Sequence, residues 1–194
     1  VVPEKFVGPK TVVMNALGAE VVLTPTESGM PGAIAKAKEL AAGIPGAYVP
    51  QQFENPANPD IHYQTTAAEI FEQLGRVPDA VVMGGGTGGT FTGVARFFKE
   101  RDPRVRGVLV EPKGSIWGGG PQAPYMVEGI GNSFWPGALD RSLVDEIQSV
   151  ADSDSFATVK ELARREGLLV GGSSGTAAFA ARQVARSLGE GKIV

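Results

Sequence analysis

Short apolar runs recur along the chain, separated by longer stretches in which apolar residues return every three to four positions. The short runs lie at 20–23 (EVVL), 79–83 (DAVVM), 106–110 (RGVLV), 145–150 (DEIQSV) and 168–170 (LLV). Their length, their Val, Leu and Ile content and the Gly, Pro and Asp residues beside them predict strands. The longer stretches predict helices at 11–17, stopped by Gly18, at 31–42, stopped by Gly43, and at 62–74, with Ala67, Ile70, Phe71 and Leu74 on one face. Further helices are expected at 89–100, 152–166 and 175–188. The one at 152–166 carries Asp152 and Asp154 at its start and Arg164 and Arg165 near its end, which complements a helix dipole. Strand and helix alternate, so the expected fold class is α/β, a parallel sheet with helices on its faces. Wholly apolar strands such as VVM and LLV fit burial on both sides.

Glycine sharpens this picture. There are 27 glycines in 194 residues, roughly twice ordinary usage, gathered at 84–89 (GGGTGG), 118–120, 129–131 and 171–175 (GGSSG). The run DAVVM-GGGTGGT-FTGVARFFKE reads as strand, glycine loop, helix. Such a loop leaves backbone N–H groups free at a helix N-terminus, where an anion is favoured. Gly84, Gly86 and Gly89 satisfy G-x-G-x-x-G, and Glu111 closes the next strand where a ribose-binding acid could stand. Thr87, Thr90 and Thr92 favour a terminal phosphate instead, because their hydroxyls can donate to several free oxygens. A dinucleotide and a plain glycine turn remain the alternatives. No Gly-Lys-Ser/Thr follows the loop, so it is not a Walker A sequence.

The second loop, LLV-GGSSG-TAAFAARQV, matches G-x-S-x-G. A hydrolase built on it needs a His after the nucleophile, and the single histidine, His62, lies far upstream. Ser173 is expected instead to meet a ligand at a strand's C-terminal end, its hydroxyl able to pair with a heteroaromatic nitrogen; the competing reading is a helix cap, a role also open to Ser174. The segment 51–66 (QQFENPANPDIHYQTT) reads as a rigid loop whose two Asn-Pro pairs keep the backbone out of helix. Gln51, Gln52 and Asn55 offer polar side chains there, and His62 reads as a hydrogen-bonding histidine at a helix start rather than a base. VEGIGN at 127–132 forms another tight loop.

Composition removes several classes. No cysteine means no disulfide scaffold, thiolate metal site or thiol catalysis. One histidine excludes a multi-histidine metal centre. A net charge of −3 argues against nucleic-acid or polybasic membrane binding, and no apolar run approaches the ~20 residues of a membrane span. VVPE reads as a strand leaving a core and GKIV as a strand beginning, so a piece of a longer protein is expected.

Taken together, VVPEK, ALGAEVVLT, QQFENPANPDIHYQTTAAEI, GGGTGGTFTGVARFFKE, VEGIG, LDRSLVDE and REGLLVGGSSGTAA stand in the order of one family. The chain resembles the fold-type II pyridoxal-phosphate enzymes, specifically the cysteine synthases (O-acetylserine sulfhydrylases) and cystathionine β-synthases. The resemblance implies a three-layer parallel sheet, with 1–50 the remainder of a small domain and 51–194 most of a large cofactor domain. It implies that Gly86, Thr87, Gly88, Gly89 and Thr90 cradle the 5′-phosphate of pyridoxal 5′-phosphate and that Ser173 bonds its pyridine nitrogen. Gln52 would hold the substrate carboxylate, Phe53 would line the substrate pocket, and Gly129 and Gly131 would flank the amino-acid substrate. The implied reaction is β-replacement on O-acetylserine or serine, through an aminoacrylate, with sulfide or homocysteine as nucleophile. A cytoplasmic homodimer is also implied.

One departure stands out. The family's Schiff-base lysine belongs to an upstream Ser-x-Lys-Asp-Arg-like segment that is not among these residues, and the context of Lys5 and Lys10 matches a later part of the family. No catalytic residue is therefore assigned within the chain. Asn132 and Ser133 follow GIG where eukaryotic cystathionine synthases carry Tyr-Asp, which favours cysteine synthesis. The other readings are a serine/threonine dehydratase, a non-catalytic scaffold of the same fold, and a dinucleotide-binding oxidoreductase.

Overall fold

The computed structural model describes residues 1–194, which divide into two compact units, Val1–Gln51 and Gln52–Val194. In the first, β1 (Val2–Pro3) pairs in parallel with β2 (Leu23–Thr24). Two helices accompany them, α1 (Pro9–Ala16) and α2 (Gly29–Ala42). Gly18, at φ +85°, turns the chain after α1. The strand expected at 20–23 is reduced to two residues, because only Leu23 and Thr24 find a partner strand.

The second unit holds the sheet that the sequence predicts. Strands β3 (Ala80–Gly84), β4 (Arg106–Pro112) and β5 (Glu146–Val150) lie in that order, all parallel. Their period-two alternation builds a core on each face. Val81 and Leu109 pack with Phe91, Val94, Phe97 and Phe98 of α5 (Gly89–Arg101) and with Ala67 of α4 (Ala67–Leu74). Ala80, Val108, Val110 and Val150 pack with Ala180 and Val184 of α7 (Gly172–Leu188). The result is three layers, helix, sheet and helix, with α6 (Asp152–Glu166) packed against α7. Val108, Leu109 and Val110 are fully buried, each such side chain contributing about 1.5–3 kcal/mol by burial.

Three expectations fail locally. First, the Asn-Pro segment is helical. Ala57–Ile61 forms α3, continues through a π-helical turn at His62–Thr66 and runs into α4. Pro59 fits because it stands in the first turn, where a backbone N–H has no helical acceptor to lose. Leu74, expected on the buried face of this helix, is 41% exposed. Second, 168–170 forms no strand. No strand of this chain runs beside it, and Leu169 is 93% exposed. Third, α7 begins at Gly172, so GGSSG is mostly helix rather than loop; its cap is Gly171, and Ser174 lies inside the first turn. At the chain's other strand-like end, Ile193 accepts from the Asp79 and Ala80 N–H groups without extending into a ladder.

Candidate functional site

The first glycine loop stands where β3 ends and α5 begins, at the C-terminal edge of the sheet, the usual ligand position in open α/β sheets. Its carbonyls are tied back into the protein. Gly131 N–H donates to Gly85 O at 2.7 Å, Asn132 Nδ2 donates to Gly86 O, and Thr92 N–H donates to Gly88 O at 2.9 Å. Its N–H groups are left over: those of Gly86, Thr87 and Gly88 donate to nothing in the chain. Gly88 is nevertheless buried, and an unpaired buried donor is uncommon.

Glycine is required here by close packing. A Cβ on Gly86 would lie 2.7 Å from Gly129 O, one on Gly88 2.5 Å from Leu139, and one on Gly89 2.0 Å from Asn58 Oδ1. Gly88 also sits at φ +81° as the cap of α5. The loop is thus a rigid cup of unpaired N–H groups at the positive end of a thirteen-residue helix.

Two of the three expected hydroxyls belong to this cup. Thr87 Oγ1 accepts from Asn58 Nδ2 at 2.9 Å and from Gly89 N–H at 3.3 Å. Thr90 Oγ1 lies 3.0 Å from His62 Nε2, whose Nδ1 lies 2.9 Å from Thr66 Oγ1. The histidine is therefore a hydrogen-bonded bridge in the π-helical turn. Gly93 makes this approach possible, since a Cβ there would meet Pro59 O at 2.4 Å. Thr92 does not belong to the cup: it is buried, and its Oγ1 accepts from Asp140 N–H at 2.9 Å.

The loop 127–132 closes over the cup. Gly129 and Gly131 adopt φ of +89° and +83°, and Asp152 receives the Met126 and Val127 N–H groups at 2.8 and 3.2 Å. Ser173, in the first turn of α7, has a hydroxyl that bonds nothing in the chain and lies 4.0 Å from where a Gly129 Cβ would stand. Gly86, Gly129 and Ser173 are therefore neighbours. Tyr125 reaches the same loop, its phenol held above the usual range first by burial and then by the Glu111 carboxylate.

The 52–54 segment forms another wall. Gln52 is exposed and its carbonyl accepts from Asn58 Nδ2 at 2.7 Å. Phe53 packs its ring 5.4 Å from Phe134, and its carbonyl accepts from Ala138 N–H at 2.9 Å. Gln51 carries the chain's single positive φ outside glycine, +50°. Asn55 Oδ1 receives the Ala57 N–H at 3.0 Å.

The dinucleotide reading fails on Glu111. That carboxylate is fully buried and accepts from Trp117 N–H, Gly118 N–H and Ser149 Oγ at 2.9, 2.8 and 2.7 Å. It frames the loop beneath the cup and has no reach toward a ribose. Unpaired N–H groups with a hydroxyl still able to donate suit a phosphate monoester, and the neutral Ser173 hydroxyl suits an uncharged ring nitrogen. Sequence reasoning missed Asn58 and the hydrogen bond of Asn132 to the loop, and it read Glu111 as a ribose-binding acid rather than a buried acceptor. Asn58 was disguised as a turn former, and Asn132 was marked only by its place after GIG.

The chain is similar along its whole length to known proteins. A cysteine synthase from Helicobacter pylori (strain ATCC 700392 / 26695) is 48% identical over 194 residues, which is 100% of this chain and 63% of the relative. An O-acetylserine dependent cystathionine beta-synthase from Bacillus subtilis (strain 168) is 45% identical over 190 residues, 98% of this chain and 62% of the relative. The crystal structure of an O-acetylserine dependent cystathionine beta-synthase from Helicobacter pylori superposes with a TM-score of 0.93 at 48% identity, over 98% of this chain and 63% of that one. The chain thus spans slightly under two thirds of the length of these relatives. The profile of the family described as pyridoxal-phosphate dependent enzyme matches residues 1–194. Matched from first residue to last, and keeping the fold of its solved relatives, the chain belongs to that family.

Proposed function

We propose that these residues form most of the cofactor domain of an enzyme that makes cysteine by β-replacement on O-acetylserine, with sulfide as the nucleophile. The observation that carries this reading is the cup at 86–90: unpaired N–H groups, one of them buried, beside two threonine hydroxyls at a helix N-terminus. Gly86, Thr87, Gly88, Gly89 and Thr90 would hold the phosphate of pyridoxal phosphate. Ser173 would face its pyridine nitrogen with a neutral hydroxyl, leaving that nitrogen largely unprotonated. When bound, the cofactor supplies an electron sink that acidifies the substrate Cα and allows the β-substituent to leave. Gln52 would hold the substrate carboxylate, Phe53 would shape the pocket, and the left-handed backbone at Gly129 and Gly131 would bring the loop close without side chains in the way. The proton-transferring lysine of the family has no counterpart assigned among these residues.

The names carried by the relatives favour a second nucleophile as well. Two of them are described as O-acetylserine dependent cystathionine beta-synthases, which points to homocysteine in place of sulfide. A cytoplasmic homodimer is the setting implied by the family resemblance.

The test uses the full-length protein that contains these residues, incubated with pyridoxal phosphate and reduced with borohydride. One covalent pyridoxyl group per chain by intact mass, with cysteine formed from O-acetylserine and sulfide, is the expected result. No adduct and no turnover would remove the enzymatic reading and leave a scaffold of the same fold. Cystathionine made faster than cysteine when both nucleophiles are supplied would favour the second reading.

A further inference from the structure

One side chain joins two walls of the site. The amide of Asn58 has two N–H donors, and each goes to a different loop: one to the Gln52 carbonyl at 2.7 Å, the other to Thr87 Oγ1 at 2.9 Å. The amide is seated against the start of α5, with its Oδ1 in the space a Gly89 side chain would need. Thr87 Oγ1 also accepts from Gly89 N–H. A hydroxyl has two lone pairs and one hydrogen. Both lone pairs of Thr87 are engaged by these donors, so its O–H is directed away from them and finds no acceptor in the chain.

We propose that Asn58 is a positioning residue, which sets the Thr87 hydroxyl as a donor to the cofactor phosphate and fixes the Gln52 loop to the same point. The proposal rests on the phosphate reading above. The side chain's neutrality matters. An aspartate there would hold a similar shape but lose both donors, and would place a negative charge beside the anion and at the helix N-terminus that serves it. Asn58 acts through Thr87 and touches no reacting atom, so its effect belongs to phosphate binding.

The test compares pyridoxal phosphate with pyridoxal, which lacks the phosphate, as ligands of the full-length enzyme prepared without cofactor. Asn58→Leu, close in shape and without donors, is expected to weaken pyridoxal phosphate about tenfold, the scale of a lost hydrogen bond to a charged group. Pyridoxal affinity should stay within about twofold. In a Thr87→Ala background the same substitution should have no further effect, because the hydroxyl it orients is gone. Asn58→Asp should weaken the phosphate form more than Asn58→Leu does, and it serves for the same ligand comparison should the leucine variant not fold. Equal weakening of both ligands, or a full tenfold loss persisting without the Thr87 hydroxyl, would overturn the proposal while leaving the phosphate reading intact. A wild-type protein that binds pyridoxal phosphate no better than pyridoxal would overturn the phosphate reading and this inference with it.

Discussion

The two glycine loops share a sequence plan of apolar run, glycines, hydroxyl residue and helix, yet they are held in different ways. At 84–89 the preceding run is a strand inside the sheet, and nearly every glycine is pressed against something: Gly85 against Trp117 and Leu109, Gly86 against Gly129, Gly88 against Leu139. At 171–175 the preceding run makes no ladder, and Gly171 has nothing within 4 Å of where its Cβ would be. Gly172 meets the Phe156 ring at 3.0 Å, and Gly175, set against Ser155 O at 2.2 Å, is the one pressed against backbone. The frames beneath them differ as well. Under the first lies the buried Glu111 with three donors; under the second a Thr176 hydroxyl donates to Ser155 Oγ at 2.8 Å. A glycine-rich turn after an apolar run therefore does not define a rigid cup. The rigidity comes from the sheet and from the loops that close on it.

The contrast can be tested by substitution. Glu111→Ala strands the buried Trp117 N–H, worth about 1–3 kcal/mol when unpaired, and releases the part-buried Gly118 N–H and Ser149 Oγ, so a loss of about 3 kcal/mol is expected in urea unfolding. A loss under about 1 kcal/mol would break the comparison at its foundation. Gly86→Ala must displace the Gly129 carbonyl, and about 2 kcal/mol is expected from such overpacking. Thr176→Val removes a hydroxyl that reaches both Ser155 Oγ at 2.8 Å and Gly172 O at 3.0 Å with its single hydrogen, while Ser155 keeps its bond to Ala151 O, so about 1 kcal/mol is expected. Leu169→Thr should change the stability of the 194-residue polypeptide by no more than about 0.5 kcal/mol, as for an exposed position. A clear loss there would mean the 168–170 run is packed in solution and the two loops are more alike than drawn.

The smallest effect lies at the opposite end of β3. Asp79 accepts from Lys192 Nζ at 2.8 Å and from Ile193 N–H at 3.0 Å, and its carboxyl is held below the usual value of 3.8, first by Lys192 and then by the Ile193 N–H. A lowered native pKa means the unfolded state binds more protons over that range, so the tie is present above about pH 4 and fades as pH falls further. The protection of Ala80 and Ile193 against hydrogen exchange, relative to the intrinsic rate at each pH, should fall below pH 4, while that of Val108–Val110 is kept. An equal loss of protection at both places would mean that the tie does not act locally.

Much of the second unit was legible in advance. The runs at 79–83, 106–110 and 145–150 became three parallel strands, with the central one, β4, buried along nearly its whole length, because its Val and Leu residues can be covered on both faces only by helices. The helix at 152–166 was bounded by its own charges and by Gly167 in the left-handed conformation at φ +69°. The run at 168–170 has the same apolar character, but a strand exists only beside another strand. Its failure is a matter of neighbours, which no local pattern contains. The 51–61 segment misled for a different reason. Asn-Pro was read through its turn preference, while Pro59 fell where a helix tolerates proline.

The site divides along the same line. The residue types, glycines beside threonines after a strand and a lone serine beginning a helix, were set by the sequence, because backbone N–H groups and neutral hydroxyls are what such a pattern can offer. Tertiary structure decided which of them act together. It withdrew Thr92 and Glu111 by burying them among other donors and acceptors, brought Gly86, Gly129 and Ser173 into one neighbourhood, and set Asn58 where one amide reaches two loops. Local sequence fixes which donors a residue carries; only packing fixes which of those donors are already taken.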